Sequence, residues 1–134
     1  MTPEGRVKKS ISTVLKNFPS VYSFMPVQFG MGASGVDYHC VVGMLTQFAN
    51  GRVDMLPIAF FIEAKKPGGE PTGRQDAFLK ERHEKQNCKC FVIDEDPSIS
   101  KGSGLDHLAE WLGEIENNNE RLRALYNPAG NGYP

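Results

Sequence analysis

Asp37, Glu63, Lys65 and Gln75 are polar residues set at the margins of apolar stretches, at spacings that suit chemistry on a phosphate ester. The run Ile58-Ala59-Phe60-Phe61-Ile62 reads as a buried strand, and Glu63-Ala64-Lys65-Lys66 follows at its exit. Side chains alternate across a strand, so Glu63 and Lys65 share one face where the chain leaves the core. An acid and a base beside an apolar run are costly unless each finds a partner. Asp37 supplies a second acid. Hard divalent cations such as Mg²⁺ take oxygen ligands, and Asp37, Glu63 and the backbone carbonyl of Ala64 offer three, leaving positions for water and a substrate phosphate. A cation so held activates a water and neutralises charge on a phosphodiester, with Lys65 placed to hold the attacking water or the scissile phosphate. Taken alone, Glu63-Ala64-Lys65-Lys66 would be a solvated loop before Pro67-Gly68-Gly69; Asp37 upstream and Gln75 downstream weigh against that.

Several elements must deliver these groups. Thr2-Pro3-Glu4 has the form of a helix start: Thr2 caps, Pro3 suits the first helical position, and Glu4 faces the positive end of the helix dipole. Val7, Ile11, Val14, Leu15 and Phe18 follow helical spacing, with Lys8, Lys9 and Lys16 off that face and a stop by Pro19. By residue type alone Glu4 is a dipole partner. Val21 to Met25 suits an edge strand. The glycines between Gly30 and Gly35 are expected to shape a turn that presents Asp37, since they lack the Gly-Lys-Ser/Thr ending of a nucleotide loop. Val36 to Met44, extended through Phe48, reads as a largely buried strand. Asn50-Gly51 marks a hairpin into a strand from Arg52 to Lys65, in which Pro57 is a candidate bulge.

Pro67 to Pro71 is a loop, after which Thr72 or Gly73 opens a helix with Gln75, Phe78, Leu79, Arg82 and Gln86 on one side, ending near Asn87. A short strand, Cys90 to Ile93, runs into the acidic turn Asp94 to Pro97. Leu105, Leu108, Ala109, Leu112 and Ile115 mark a last amphipathic helix carrying Trp111, capped by Ser103 or Asp106, which Asn117-Asn118-Asn119 is expected to end or fray. This order predicts an α/β layer fold with a mixed sheet, formed by residues 1–116, and a partly flexible tail over 117–134.

The 134 residues suit one domain with one core. No apolar run is long enough to span a bilayer, and the polar N-terminus reads as a helix start, so a cytoplasmic protein is expected. Cys40, Cys88 and Cys90 are an odd set, expected to be reduced thiols. A zinc set with His39 is disfavoured because Cys88-Lys89-Cys90 is too tight and His39 and Cys40 alternate to opposite faces. His39 shares a face with Asp37, either to orient a water or phosphate or as a structural residue; His83 and His107 are expected in solvent. The net charge of −1 conceals an asymmetry: residues 1–93 hold twelve Lys/Arg against eight Asp/Glu, and residues 94–134 hold three against eight. A local basic surface therefore remains open to a polyanion. Lys66 and Arg74 flank the candidate site and are favoured for DNA contact; Lys80, Arg82, Lys85 and Lys89 are interleaved with acids and suit ordinary charge pairs.

Gly35-Val36-Asp37, then Phe61-Ile62-Glu63-Ala64-Lys65, then Gly73-Arg74-Gln75 with Phe78-Leu79 resemble, in this order, the PD-(D/E)XK nuclease pattern, in its virus-type replication-repair variant, VRR-NUC. Pro3-Glu4 with Val7, and Phe91-Val92-Ile93 followed by Gly104-Leu105, fit the start and end of that domain, so the resemblance covers roughly the first 115 residues. It implies a restriction-endonuclease-like fold, a mixed β-sheet flanked by helices, and a DNA endonuclease dependent on Mg²⁺ or Mn²⁺. Asp37 and Glu63 would be metal ligands, Lys65 the catalytic lysine, Glu4 an acid added from the first helix, and Gln75 the glutamine that follows the E-x-K strand. Short stand-alone members resemble phage-encoded enzymes that act as homodimers on branched DNA, including four-way (Holliday) junctions. This sequence departs in carrying Val36 where the family often has Pro, and in the long segment from Gln47 to Pro57, a candidate dimer or DNA contact. The last helix with Trp111, or the Asn50-Gly51 hairpin, is a candidate dimer interface. Two other classes remain: a DNA-binding module with the nuclease fold but no catalysis, and a structural protein in which Glu63 and Lys65 are a surface ion pair.

Overall fold

Alternation on two long strands builds the sheet. Tyr38, Cys40 and Val42 on β2 (Tyr38–Gln47) are buried, and they lie across from Ile62, Phe60 and Ile58 on β3 (Val53–Ala64). The computed structural model describes residues 2–26, 36–94 and 103–128. β1 (Val21–Phe24) pairs antiparallel with β2, β2 antiparallel with β3, and β4 (Lys89–Ile93) parallel with β3, giving the order β1-β2-β3-β4. Helix α1 (Pro3–Lys16) precedes the sheet, α2 (Gly73–Gln86) joins β3 to β4, and α3 (Ser103–Leu122) follows. The chain is thus a mixed α/β fold, a four-stranded mixed sheet flanked by three helices, compatible with a restriction-endonuclease-like architecture.

One core lies between the sheet and the pair α1 and α3. Val7, Ile11 and Leu15 of α1 and Leu105, Leu108, Leu112 and Ile115 of α3 meet Tyr38, Cys40, Val42, Phe60, Ile62, Phe91 and Ile93. Each such side chain contributes about 1.5–3 kcal/mol by leaving water. Helix α2 packs Phe78 against His39 and Phe61, ring centroids 5.7 and 5.4 Å away. Its ends follow the local signals: Thr72 and Gln75 form a capping box, and Asn87 closes it in the left-handed conformation (φ 54°). The same holds at the start of α1, where Thr2 Oγ1 accepts the Gly5 N–H at 3.0 Å and Pro3 opens the helix.

Two sequence expectations, on where α3 ends and on a bulge at Pro57, do not hold. Helix α3 neither ends nor frays at Asn117-Asn118-Asn119; it runs on to Leu122. β1 covers β2 only from His39 to Val42, so among the described residues no strand lies beside the next stretch of the β2 edge. Asn119 fills that place, its Oδ1 accepting the Leu45 N–H at 2.8 Å and its Nδ2 donating to Gly43 O at 2.9 Å, while Asn118 Nδ2 donates to Leu45 O at 2.7 Å. The residues that looked like a helix end serve as a surrogate strand. Leu122 and Tyr126 continue that contact onto Leu45 and Val53.

Pro57 makes no bulge. The β2–β3 register runs unbroken through Gly43↔Pro57, and β4 pairs β3 only from Phe60 to Ala64, so Pro57 lies where the far edge of β3 requires no donor. Trp111 is partly buried against the core, its ring centroid 5.0 Å from Phe60 and 5.7 Å from Phe91. The hairpin at Asn50-Gly51 is present as a three-residue loop: Gly51 N–H donates to Phe48 O, Phe48 N–H donates to Arg52 O, and Gly51 has φ 86°. The glycines of 30–35 and most of the acidic turn after Asp94 lie outside the described residues. No helix among the described residues is long and apolar enough to cross a membrane.

Candidate metal centre

Three elements converge at the C-terminal end of β3. Glu4 stands in the first turn of α1, Asp37 immediately before β2, and Glu63 one residue before the end of β3. One ligand oxygen from each lies within 4.8 Å of the others, and among the described residues no other group of His, Cys, Asp or Glu side chains converges so. Together with Lys8, Lys65, Gln75, Met25 and Pro26 they line a cavity of about 340 Å³. Of the residues expected from the sequence to act at one site, Glu4, Asp37, Glu63, Lys65 and Gln75 line this cavity; Ala64 is buried and does not, and Lys66 and Arg74 are exposed. Lys66 lines an adjoining cavity of about 420 Å³ that shares Glu4 and Lys65 with the first.

Glu63 is only 1 % exposed, and its Oε2 is buried with no hydrogen-bond partner. Burial first, then a hydrogen bond to Asp37 and the Asp37 and Glu4 charges, pushes its carboxyl up from 4.5 to about 9, with Lys65 pulling the other way. A buried oxygen left without a partner is expensive. A cation ligated there would remove that cost and reverse the pKa shift.

Asp37 is held differently. Its Oδ2 accepts the Ala64 N–H at 2.9 Å, and its Oδ1 faces the Lys8 ammonium at 3.4 Å. Ala64 itself is buried. Across the trans peptide joining them, the Ala64 carbonyl and the Lys65 N–H point opposite ways. The Lys65 N–H donates to Ile93 O on β4 at 2.9 Å, so the Ala64 carbonyl turns away from β4, to the side on which the Ala64 N–H meets Asp37. The backbone oxygen expected as a third ligand thus lies on the Asp37 side of β3.

Lys65 leaves β3 half-buried, over the turn Lys66-Pro67-Gly68-Gly69. Gly69 N–H donates to Lys66 O at 2.8 Å and Gly68 has φ 79°, the pattern of a type II turn with Pro second and Gly third. A Cβ on Gly69 would stand 3.0 Å from Lys66 O and 3.3 Å from Lys65 Cβ, so the glycine lets the turn close against the lysine stem. Gln75 is partly committed: its Oε1 accepts the Thr72 N–H at 3.0 Å in the capping box, leaving the amide NH₂ as the group it can offer the cavity.

Two residues at the site were not singled out from the sequence. Lys8 counted only as off the apolar face of α1, although it lies four residues after Glu4, on the same helix face. Tyr38 counted only as a strand former. Its buried hydroxyl donates to Lys8 O at 2.9 Å and meets Ser12 Oγ at 3.1 Å, which ties α1, and with it Glu4 and Lys8, to the chain beside Asp37. His39 points elsewhere, between Phe61 and Phe78, with Nε2 buried and unpartnered and burial lowering its pKa. The thiols form no metal set: Cys40 is buried in the core, where burial pushes it up to about 12, and Cys88 and Cys90 bond to backbone carbonyls. His83 and His107 are exposed, as expected.

The fold and site define a mixed α/β protein with an all-oxygen acidic centre, able to hold a metal ion, beside a lysine. No protein-family model and no curated protein matches the chain.

Proposed function

We propose that the chain is a VRR-NUC-type endodeoxyribonuclease, dependent on Mg²⁺ or Mn²⁺, that hydrolyses phosphodiester bonds in branched DNA such as four-way junctions. The observation that carries this reading is the convergence of Glu4, Asp37 and Glu63, from three separate elements, on one cavity with Lys65 and Gln75. Three acids this close repel one another and favour a bound cation. An all-oxygen donor set, with the Glu63 Oε2 lacking any other partner, suits a hard metal better than a thiophilic one.

Asp37, Glu63 and the Ala64 carbonyl would hold the ion, with Glu4 as a further acid. The bound ion would supply Lewis acidity, lowering the pKa of a water and neutralising phosphate charge. Lys65 would hold the attacking water or the scissile phosphate, and the Gln75 amide would donate to the same group. In the hydrolysis the water oxygen bonds to phosphorus, the bond to the departing sugar oxygen breaks, and that oxygen takes up a proton. Lys66 and Arg74, exposed beside the cavity, would contact the DNA backbone. Two strands of a junction need two sites, so the active form would be a homodimer. Tyr22 and Val41, cross-strand neighbours that are both exposed, offer apolar surface for the second copy.

Cleavage of labelled duplex, flap and four-way-junction DNA in Mg²⁺, Mn²⁺ or EDTA tests this, with Lys65→Met and Asp37→Asn proteins alongside. Metal-dependent nicking of the branched substrate, lost in both variants, is the expected result. Binding without cleavage by the wild type would favour a DNA-binding module; neither binding nor cleavage would end the nuclease reading.

A further inference from the structure

We propose that Lys8 is a resident counter-cation of the acidic centre, occupying the Asp37 oxygen that a metal ion would need and giving it up when the ion binds. This rests on the metal reading above. The two oxygens of Asp37 are unlike: Oδ2 is tied to the Ala64 N–H at 2.9 Å, whereas Oδ1 is held by the Lys8 ammonium at 3.4 Å. The oxygen free to turn toward an ion is therefore the one that Lys8 holds. Glu4 is one turn before Lys8 on the same helix, and both line the cavity with Asp37 and Glu63, so the ammonium that pairs with Asp37 belongs to the cavity the three acids share. The Asp37 side chain is 15 % exposed and that of Lys8 is 36 % exposed, so the carboxylate is sheltered while the lysine can swing outward.

The backbone at Lys8 is fixed, since its carbonyl accepts the Tyr38 hydroxyl, so only the flexible side chain is free to move. Displaced from Asp37, the ammonium remains at the cavity rim, within the space a substrate phosphate would occupy. Lys8 thus balances the acids in the metal-free protein and joins Lys65 as a second cation toward the phosphate in the loaded one.

A Mn²⁺ titration followed by electron paramagnetic resonance, with the full chain and no DNA, separates the outcomes. A partly exposed ion pair of this kind is worth on the order of a two- to fivefold change in a competing equilibrium. Lys8→Gln should therefore bind Mn²⁺ about two- to fivefold more tightly than wild type, and Lys8→Arg, which keeps the charge, should stay close to wild type. If Lys8→Gln is poorly stable, the shift in Tm on adding Mn²⁺ gives the same comparison, and it should exceed the wild-type shift. Mn²⁺ affinity equal to or weaker than wild type in Lys8→Gln would overturn the role of Lys8 while leaving the metal centre standing. Absence of Mn²⁺ binding by all three proteins would remove the metal reading and this inference with it.

Discussion

Replacing Glu63 by Gln should have opposite effects with and without a divalent cation. In metal-free protein the Glu63 carboxyl is pushed up to about 9, chiefly by burial and then by Asp37, from 4.5 in the open chain. The folded state therefore holds this proton more tightly than the unfolded state does. The resulting stability is complete below pH 4.5 and is lost as pH rises toward 9. Each pH unit in that window costs about 1.4 kcal/mol, so the interval from pH 5 to pH 8 costs about 4 kcal/mol at most. Glutamine keeps the shape and has no proton to lose. In EDTA, Glu63→Gln should match wild type near pH 5 and exceed it by about 2–4 kcal/mol at pH 8. Urea unfolding of both proteins at pH 5, 6.5 and 8 measures this, and the difference between them cancels the other titrating groups. With Mn²⁺ present the order should reverse at pH 8, because wild type gains binding energy that the variant lacks. A variant less stable than wild type at pH 8 in EDTA, or a difference that does not grow with pH, would refute the description of Glu63 as a buried, metal-seeking acid.

Further outcomes follow from the same geometry. Asn119→Ala leaves the Leu45 N–H and Gly43 O without partners and should cost about 2–4 kcal/mol in urea unfolding, with faster amide exchange in the Leu45 region of the hairpin. Gly69→Ala places a Cβ 3.0 Å from Lys66 O and against the Lys65 stem, so junction cleavage should fall about tenfold or more while Mn²⁺ affinity stays within about twofold. His39→Phe should gain stability relative to wild type as pH falls below 6.5. Burial lowers the pKa of His39, so its contribution is present above 6.5 and lost as acid charges the ring between Phe61 and Phe78; melting curves at pH 5 and pH 8 measure the difference.

What the sequence made legible was whatever local rules decide. Thr2-Pro3 and Thr72 to Gln75 cap their helices by side-chain chemistry that spacing alone exposes, and the run from Ile58 to Ile62 is apolar because β3 is an inner strand, between β2 and β4. Glu63 and Lys65 could be placed together by strand alternation, whereas Asp37 joined them only through the resemblance to the nuclease pattern. What stayed hidden depends on partners distant in the chain. Asn118 and Asn119 look like a helix end until the β2 edge that they complete is seen beside them. Pro57 looks disruptive until β4 proves too short to reach it. The rings of Phe60 and Phe91 beside Trp111 are likewise invisible from its own helix. Lys8 was hidden because its role comes from Asp37, 29 positions further along the chain, and not from its own helix.

Asp37, Glu63 and the Ala64 carbonyl would together seat a divalent ion. Anomalous scattering from a crystal grown or soaked in Mn²⁺ tests it most directly. A peak about 2.0–2.3 Å from oxygens of Asp37, Glu63 and Ala64, with Glu4 facing it directly or through water, is the predicted result. An ordered site with all three carboxylates in place and no peak at millimolar Mn²⁺, or a peak elsewhere on the chain, would contradict it.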